Sequence, residues 1–245
     1  GPLRSDQGQI AEIETAYQAV RVVERVEESP VPVEGKGPFE WGTRAVRTRN
    51  LRFDEDYGSY QSVFLPDDSK ALLTAGRYYD HLALGAWFAG MPWTAAPPRA
   101  PEVLLVGYAG GTLHRVLRDV APAGLEPRVL GVEIDPGVVE FARAHLALDD
   151  VLSAGTTLVT GEDGRTVVNG LPAAKIFDLI FVDAYQRTQY IPFQVATVEF
   201  FRECLAHLAP DGALGVNVLA NGVYGRVPRS IAATMAEAVG PKGSV

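Results

Sequence analysis

Residues 103–116 read Val-Leu-Leu-Val-Gly-Tyr-Ala-Gly-Gly-Thr-Leu-His-Arg-Val. The four apolar residues that open this stretch are typical of a short strand buried on both faces. Gly107, Gly110 and Gly111 let the backbone turn sharply and approach a ligand closely, and the helix predicted to follow offers unpaired N–H groups at its start. The stretch therefore predicts a strand, a glycine turn and a helix. On its own the pattern is a weak signal for a ligand site, because any tight strand-to-helix turn can use glycine.

The alternation of strand and helix continues toward the C-terminus. After the first strand at 103–106 we predict strands at 129–132, 157–160, 177–182 and 213–219, and helices at 113–120, 137–148, 194–208 and 227–238. Strands that alternate with helices form a parallel sheet with right-handed crossovers. We therefore predict an α/β fold, a Rossmann-like doubly wound and mostly parallel sheet, over residues 71–245.

Residues 11–70 have a different pattern, in which β-branched and charged residues alternate over 17–26, 44–53 and 59–65. Turn sequences rich in proline and glycine separate these stretches at 29–32 and 35–38. We predict a small N-terminal subdomain of antiparallel β-hairpins, followed by a helix within 71–93.

The composition is that of a globular protein able to bury a full core, with 47% hydrophobic and 21% charged residues in a chain of 245. A net charge of −8 repels phosphate backbones, so we expect no nucleic-acid partner. No run of 18 apolar residues occurs, and we expect a cytoplasmic protein without a membrane partner. The single cysteine, Cys204, is predicted to be a buried hydrophobe.

Carboxylates follow the next three predicted strands. Glu133 ends the second strand, about 20 residues beyond the glycines, where an acidic side chain can accept both hydroxyls of a ribose. Asp163 and Gly164 follow the third strand, and a carboxylate there can accept the exocyclic amine of an adenine. Asp183 follows the fourth strand. Because the carboxyl ends of parallel strands form the rim that binds ligands, the sequence predicts a nucleoside site at this edge.

The glycine pattern also indicates which nucleoside is bound. Dinucleotide-binding folds use G-x-G-x-x-G, whereas here the spacing is G-x-x-G-G. This departure favours S-adenosylmethionine over a nicotinamide dinucleotide.

Taken together, these motifs resemble those of the spermidine synthases (polyamine aminopropyltransferases), a branch of the S-adenosylmethionine-dependent methyltransferase superfamily. The resemblance extends over about residues 17–220. Its motifs are the glycine turn with its helix, Gly131-Val-Glu-Ile-Asp-Pro-Gly-Val-Val-Glu-Phe-Ala-Arg143, Asp163-Gly164-Arg165, Asp178-Leu-Ile-Phe-Val-Asp183, Tyr17-Gln18, Gln61 and Tyr78-Tyr79-Asp80. It implies the class I methyltransferase fold with an N-terminal β-hairpin domain.

The resemblance also implies roles for individual residues. Gln18, Glu133, Asp163 and Gly164 would hold the nucleoside of S-adenosylmethionine or its decarboxylated form. Asp183 would be the general base that takes a proton from the attacking amine. Gln61 and Tyr78 would face a small-molecule amine or another nucleophile, and Gln186 would lie beside them.

Two positions depart from the family pattern. Ala109 stands where the family has an aspartate in its glycine loop that binds the diamine, and Gln186 replaces a second aspartate three residues after the catalytic one. We therefore expect an acceptor other than plain putrescine. The family also continues beyond residue 245 with two more strands, so we expect the sheet of this chain to lack them.

Two other functions share the same motifs. One is a methyltransferase that uses S-adenosylmethionine without a metal, since the stretch after the fifth strand, residues 215–221, carries no aspartate for a divalent ion. The other is a family member that binds a nucleoside without catalysis. A homodimer is compatible with each of them.

Overall fold

The structure, a computed structural model, describes residues 7–32, 41–53, 60–67, 77–88, 92–185, 191–219 and 225–240. The chain forms two compact units that alternate along the sequence. The first contains Gly1–Gly85, Ala109–Ala121 and Gly137–Ser153, and the second contains Ala86–Tyr108, Pro122–Pro136 and Ala154–Val245. No helix among the described residues is long and apolar enough to cross a bilayer.

The first unit contains the N-terminal sheet. Its strands are β1 (Gln9–Glu14), β2 (Ala19–Pro32), β3 (Trp41–Phe53) and β4 (Ser62–Phe64). They are antiparallel and lie in the order β1-β2-β3-β4, which confirms the predicted hairpin sheet.

The second strand is longer than predicted. Residues 29–32 were predicted to form a turn, but they pair with β3 as far as Pro32 opposite Trp41. The opposite edge of β2 pairs with β1 only as far as Val23. Pro30 and Pro32 are two residues apart, so both nitrogens face the same side of the strand. A strand edge beyond the last β1 pair tolerates a residue that cannot donate a ladder hydrogen bond.

The helices α1 (Tyr78–Phe88), α2 (Thr112–Val120) and α3 (Pro136–His145) come next along the chain. Within the helix predicted at 71–93, Arg77 is not helical, and residues 71–76 and 89–91 lie outside the described residues. Helix α3 ends at His145, three residues short of its predicted end, and a 3-10 turn at Leu148–Asp150 follows.

The second unit contains the parallel sheet. Its strands are β5 (Glu102–Val106), β6 (Arg128–Glu133), β7 (Thr156–Thr160), β8 (Phe177–Val182) and β9 (Leu208–Val216), in the order β7-β6-β5-β8-β9. All four pairings are parallel, which confirms the Rossmann-like α/β fold. The chain leaves β5 toward β6 on one side and returns to β8 on the other, so the ends of β5 and β8 flank the switch point where such sheets bind ligands.

Three helices, α4 (Gly164–Gly170), α5 (Val198–Ala206) and α6 (Arg226–Val239), complete this unit. The sequence analysis missed α4, because its seven residues include two glycines, a threonine and two valines, all weak helix formers. Helix α5 is shorter than predicted at both ends.

Strand β9 begins earlier than predicted. Leu208 pairs with Phe177, the register then shifts, and pairing resumes between Leu179 and Ala213. The irregular stretch contains Pro-Asp-Gly at 210–212, which has the composition of a turn. The sequence therefore does not predict the first part of the strand.

The core of this unit joins one face of the sheet to α5. Leu104, Ile180, Phe200 and Phe201 are completely buried there. Cys204 lies in the same cluster, where burial raises the pKa of its thiol to about 12, so the prediction of a buried cysteine is confirmed.

Gly107 is required by the packing of the backbone itself. It has a φ of +88°, and a Cβ built on it would lie 2.3 Å from the carbonyl oxygen of Asp183. The Asp183 amide in turn donates to the carbonyl of Val106. The chain therefore has room for nothing larger than hydrogen between the end of β5 and the residue that follows β8.

We predict that Gly107→Ala destabilises the protein far more than a glycine replacement that only strains φ. Gly124 is the matched control, because it has a φ of +79° and a Cβ added there would meet no atom within 4 Å. Gly124→Ala should cost about 1–2 kcal/mol from the left-handed conformation, whereas Gly107→Ala should cost about 2–5 kcal/mol because overpacking adds to it. Urea denaturation measures both, and equal costs would contradict the assignment.

Candidate functional site

Five residues of the second unit lie at or just beyond the carboxyl ends of its five strands. Across the sheet they are Asp163 after β7, Glu133 at the end of β6, Gly107 after β5, Asp183 after β8 and Asn217 after β9. The ends of β5, β6 and β8 lie side by side, because Val106 pairs with both Val132 and Val182. The structure therefore brings the three predicted carboxylates to one edge of one sheet.

Glu133 is buried at this edge, with 6% of its surface exposed. Its Oε1 accepts the backbone N–H of Asp135 at 3.0 Å. Directly before it, the carbonyl of Val132 accepts the N–H groups of Gly107 and Tyr108, each at 3.0 Å. The glycine turn is thus fastened to β6 next to Glu133.

Asp163 begins α4 as its N-cap. Its Oδ1 accepts the N–H groups of Arg165 at 2.9 Å and Thr166 at 3.3 Å. Its Oδ2 accepts the side-chain amide of Gln194 at 3.2 Å. Gly164 packs against β5, since a Cβ there would lie 2.4 Å from Cγ1 of Val106. The same carboxylate therefore stabilises a short, weak helix and faces a neutral amide.

Asp183 is half-buried and accepts a hydrogen bond at Oδ1 from Nδ2 of Asn217 at 2.8 Å. The Tyr185 hydroxyl donates to the carbonyl of Asn217 at 2.8 Å and accepts the N–H of Leu219. Burial, with the Asp183 charge adding to it, raises the pKa of Tyr185 to about 12. The phenol is therefore neutral at physiological pH. The group that donates to the Asp183 carboxylate, the side-chain amide of Asn217, is neutral as well.

Gly110 and Gly111 belong to the first unit. The Gly110 N–H donates to the Ser62 hydroxyl at 2.8 Å, and a Cβ on Gly110 would lie 2.8 Å from Cβ of Ser62. Gly111 is the left-handed N-cap of α2, with a φ of 74°. Gly110 is therefore fixed by contact with β4.

No protein-family model matches the sequence. Among curated proteins, the chain is 32% identical over 198 residues to the "Probable polyamine aminopropyl transferase" of Bifidobacterium longum, a match that covers 80% of this chain and 38% of that protein. The chain thus spans well under half the length of this relative.

Solved structures that share the fold include a bacterial and a human protein. A probable spermidine synthase from Corynebacterium glutamicum superposes with a TM-score of 0.56 at 20% identity, over 82% of this chain and 60% of the other. The human methyltransferase-like protein 13, in complex with SAH, superposes with a TM-score of 0.52 at 20% identity, over 64% of this chain and 70% of the other.

The chain is thus similar in sequence to a polyamine aminopropyl transferase, and it shares the fold of the spermidine synthase and methyltransferase structures. The resemblance predicted from the motifs is confirmed. The fold does not by itself separate aminopropyl from methyl transfer, because both kinds of enzyme superpose on it.

Three of the other predicted site residues, Gln18, Gln61 and Tyr78, lie in the first unit. Gln18 is in the turn between β1 and β2, where its backbone is held by Thr15, and Gln61 precedes β4. Tyr78 begins α1 in a cluster of aromatic rings, with its centroid 3.9 Å from that of Tyr79 and 6.3 Å from that of Tyr60. Gln186 lies outside the described residues. The binding roles of these residues remain predictions.

Sequence reasoning missed two polar partners of the predicted carboxylates, Gln194 and Asn217. Asn217 could have been found by one signal, since it lies near the end of the last predicted strand, at 213–219, and the ends of parallel strands meet at one edge of the sheet. Gln194 has no such signal, because it lies in a short 3-10 turn, Phe193–Val195, which no periodic pattern in the sequence predicts. Within the described ranges, no group of three or more His, Cys, Asp or Glu side chains is arranged to hold a metal ion.

We predict that the capping role of Asp163 is separable from its charge. Asp163→Ala should lower the free energy of unfolding by about 0.5–2 kcal/mol, whereas Asp163→Asn should cost only a few tenths, since asparagine caps a helix equally well. Glu162→Ala removes an exposed neighbouring carboxylate and should stay within about 0.5 kcal/mol of the parent protein. Urea denaturation measures the series, and equal losses for Asn and Ala would contradict the cap.

Proposed function

We propose that this chain is part of a transferase that uses S-adenosylmethionine or its decarboxylated form and acts on an amine other than plain putrescine. The observation that carries the proposal is the row of carboxylates along one sheet edge, with Glu133 buried beside the glycine turn and Asp183 across the switch point. The likeness to a polyamine aminopropyl transferase supports it.

In this proposal the nucleoside lies along the edge from β5 to β7. The Glu133 carboxylate accepts the two ribose hydroxyls, as expected for an acidic residue at the end of the second strand. Asp163 and Gly164 lie beside the adenine, and Gln18, Gly107, Gly110 and Gly111 complete the binding residues. No metal takes part.

The chemistry needs a base next to the acceptor. The amine nitrogen attacks the carbon bonded to the sulfonium, a C–N bond forms as the C–S bond breaks, and a neutral thioether leaves. Asp183 takes the proton that the nitrogen loses. Holding the amine and the sulfonium carbon together supplies the rest of the acceleration.

The acceptor differs from a plain diamine because two carboxylates of the family pattern are replaced. Ala109 holds a left-handed φ of 46°, a conformation that aspartate adopts more readily than alanine. With Ala109 and Gln186 in place of aspartates, a second ammonium group of the substrate has no carboxylate partner at those positions. A monoamine, or an amine whose far end is neutral, suits such a site best. Gln61 and Tyr78 are the residues that we propose contact it.

A second candidate is methyl transfer from S-adenosylmethionine, favoured by the likeness to a human methyltransferase. Titration calorimetry separates the candidates. An aminopropyl transferase should bind decarboxylated S-adenosylmethionine more tightly than S-adenosylmethionine, and a methyltransferase the reverse. Binding of methylthioadenosine with no turnover in either case would leave a non-catalytic nucleoside-binding protein.

The same calorimetry tests the ribose assignment. Glu133→Ala should weaken methylthioadenosine binding by about 1.5–3 kcal/mol, because it removes hydrogen bonds to a charged group. Glu133→Gln keeps the side-chain volume, so this variant shows whether a loss of affinity in Glu133→Ala comes from misfolding. Glu162→Ala is the control and should bind like the parent protein. Unchanged affinity in folded Glu133→Ala would show that the ribose lies elsewhere.

We further predict that Asp183→Asn keeps nucleoside affinity and lowers the turnover of an amine acceptor by about 10²–10⁴, the usual worth of a positioned general base. The measurement is the release of methylthioadenosine, with a panel of monoamines and diamines as acceptors. Putrescine should be among the poorest. Robust turnover of putrescine would overturn the acceptor assignment, and a fully active Asp183→Asn would overturn the base.

A further inference from the structure

The end of β9 fixes the side chain of Asp183 through a chain of hydrogen bonds. Asn217 is the first residue after β9, and its N–H donates to the carbonyl of Val182 at 2.9 Å. Its carbonyl accepts the Tyr185 hydroxyl, and that hydroxyl accepts the N–H of Leu219. Residues 217–219 are thus joined to residues 182–185 on both sides of the asparagine side chain.

With its backbone held in this way, Asn217 presents its amide to Asp183, and Nδ2 lies 2.8 Å from Oδ1. A carboxylate can only accept, so the nitrogen, and not the oxygen, of the amide must face it. A hydrogen bond of this kind fixes the rotation of the carboxylate plane. It also favours the ionised form, which is the form that can take up a proton.

The neutrality of this donor matters for an amine acceptor. A lysine or arginine in place of Asn217 would hold Asp183 more strongly, but its charge would repel an approaching ammonium group and weaken the base. Just beyond β5, the residue that meets the Asp183 backbone is Gly107, which has no side chain. The charge of Asp183 helps to raise the pKa of the Tyr185 phenol, which is neutral at physiological pH. The nearest strand-end carboxylates along the edge, Glu133 and Asp163, belong to β6 and β7.

We infer that Asn217 is a positioning residue for Asp183, with Tyr185 holding Asn217 in place. The inference rests on the proposed function, in which Asp183 is the general base. Asn217 does not touch the reacting atoms. It sets the orientation and the protonation equilibrium of the group that does.

The first test does not require turnover. In protein labelled with ¹³C at aspartate carboxyl carbons, Asp183→Asn identifies the Asp183 signal, whose titration midpoint is then followed by NMR. Asn217→Leu removes the donor at nearly constant volume and should raise the midpoint by about 0.5–1 pH unit, because the ionised form loses a hydrogen bond. Asn217→Asp puts a second carboxylate there and should raise it further.

Three variants serve as controls. Asn169→Leu replaces an exposed asparagine of α4 and should leave the midpoint unchanged. Asn217→Gln keeps an amide donor and should return the midpoint toward that of the parent protein. Tyr185→Phe removes only the hydroxyl and should shift the midpoint in the same direction as Asn217→Leu by a smaller amount, which keeps the inference testable if Asn217→Leu does not fold.

The second test is kinetic, with methylthioadenosine release from decarboxylated S-adenosylmethionine and the best monoamine of the panel. The acid limb of the kcat profile should move to higher pH in Asn217→Leu, and kcat at neutral pH should fall about 10-fold, while the Kd for methylthioadenosine stays within about twofold. A residue with only a structural role would lower the melting temperature and leave the limb in place.

The two possible failures are distinguishable. An unmoved Asp183 midpoint in folded Asn217→Leu, or in Tyr185→Phe if Asn217→Leu does not fold, overturns the positioning role whatever the activity. A shifted midpoint in a protein that turns over no acceptor with either cofactor overturns the proposed function instead. In that case the contact has no catalytic role and the inference falls with it.

Discussion

The close approach of the Gly107 backbone to the carbonyl of Asp183 is the constraint on which the ligand edge depends. It brings the ends of β5 and β8 together at the switch point of the sheet, and it leaves no space for a side chain between them. The Asp183 amide then bonds to Val106, and the turn after β5 bonds to Val132 on the other side. Glu133 and Asp183 thereby occupy fixed places on either side of one glycine.

The glycines of the motif were interpreted from sequence as room for a ligand, but the structure gives a different reason for two of them. Gly107 makes room for the Asp183 backbone, and Gly110 makes room for Ser62. A glycine pattern of this kind is therefore evidence for the fold first, and for a ligand only through the carboxylates that the fold then brings into line.

Much of the fold could be predicted because its signals are local. Buried strands such as β5 and β8 contain runs of four apolar residues, and a carboxylate just beyond such a run must lie at the sheet edge. Helix α4 was missed because its own residues are weak helix formers, whereas the other missed features depend on partners that are distant in sequence. Helix α4 exists in spite of weak propensity because Asp163 caps it, and β9 contains a turn-like sequence that only pairing with β8 makes extended. The Asn217–Asp183 bond likewise joins side chains 34 residues apart.

The interleaving of the two compact units bears on how the chain can be made and divided. Each unit is assembled from three separate stretches, and the first is not complete until residue 153. The bond between Gly110 and Ser62, for instance, spans 48 residues within the first unit. During synthesis the first unit can therefore be completed only after residue 153 has emerged, and contacts of such long range slow folding. No single cut in the polypeptide releases either unit whole, because segments of each unit lie on both sides of a segment of the other.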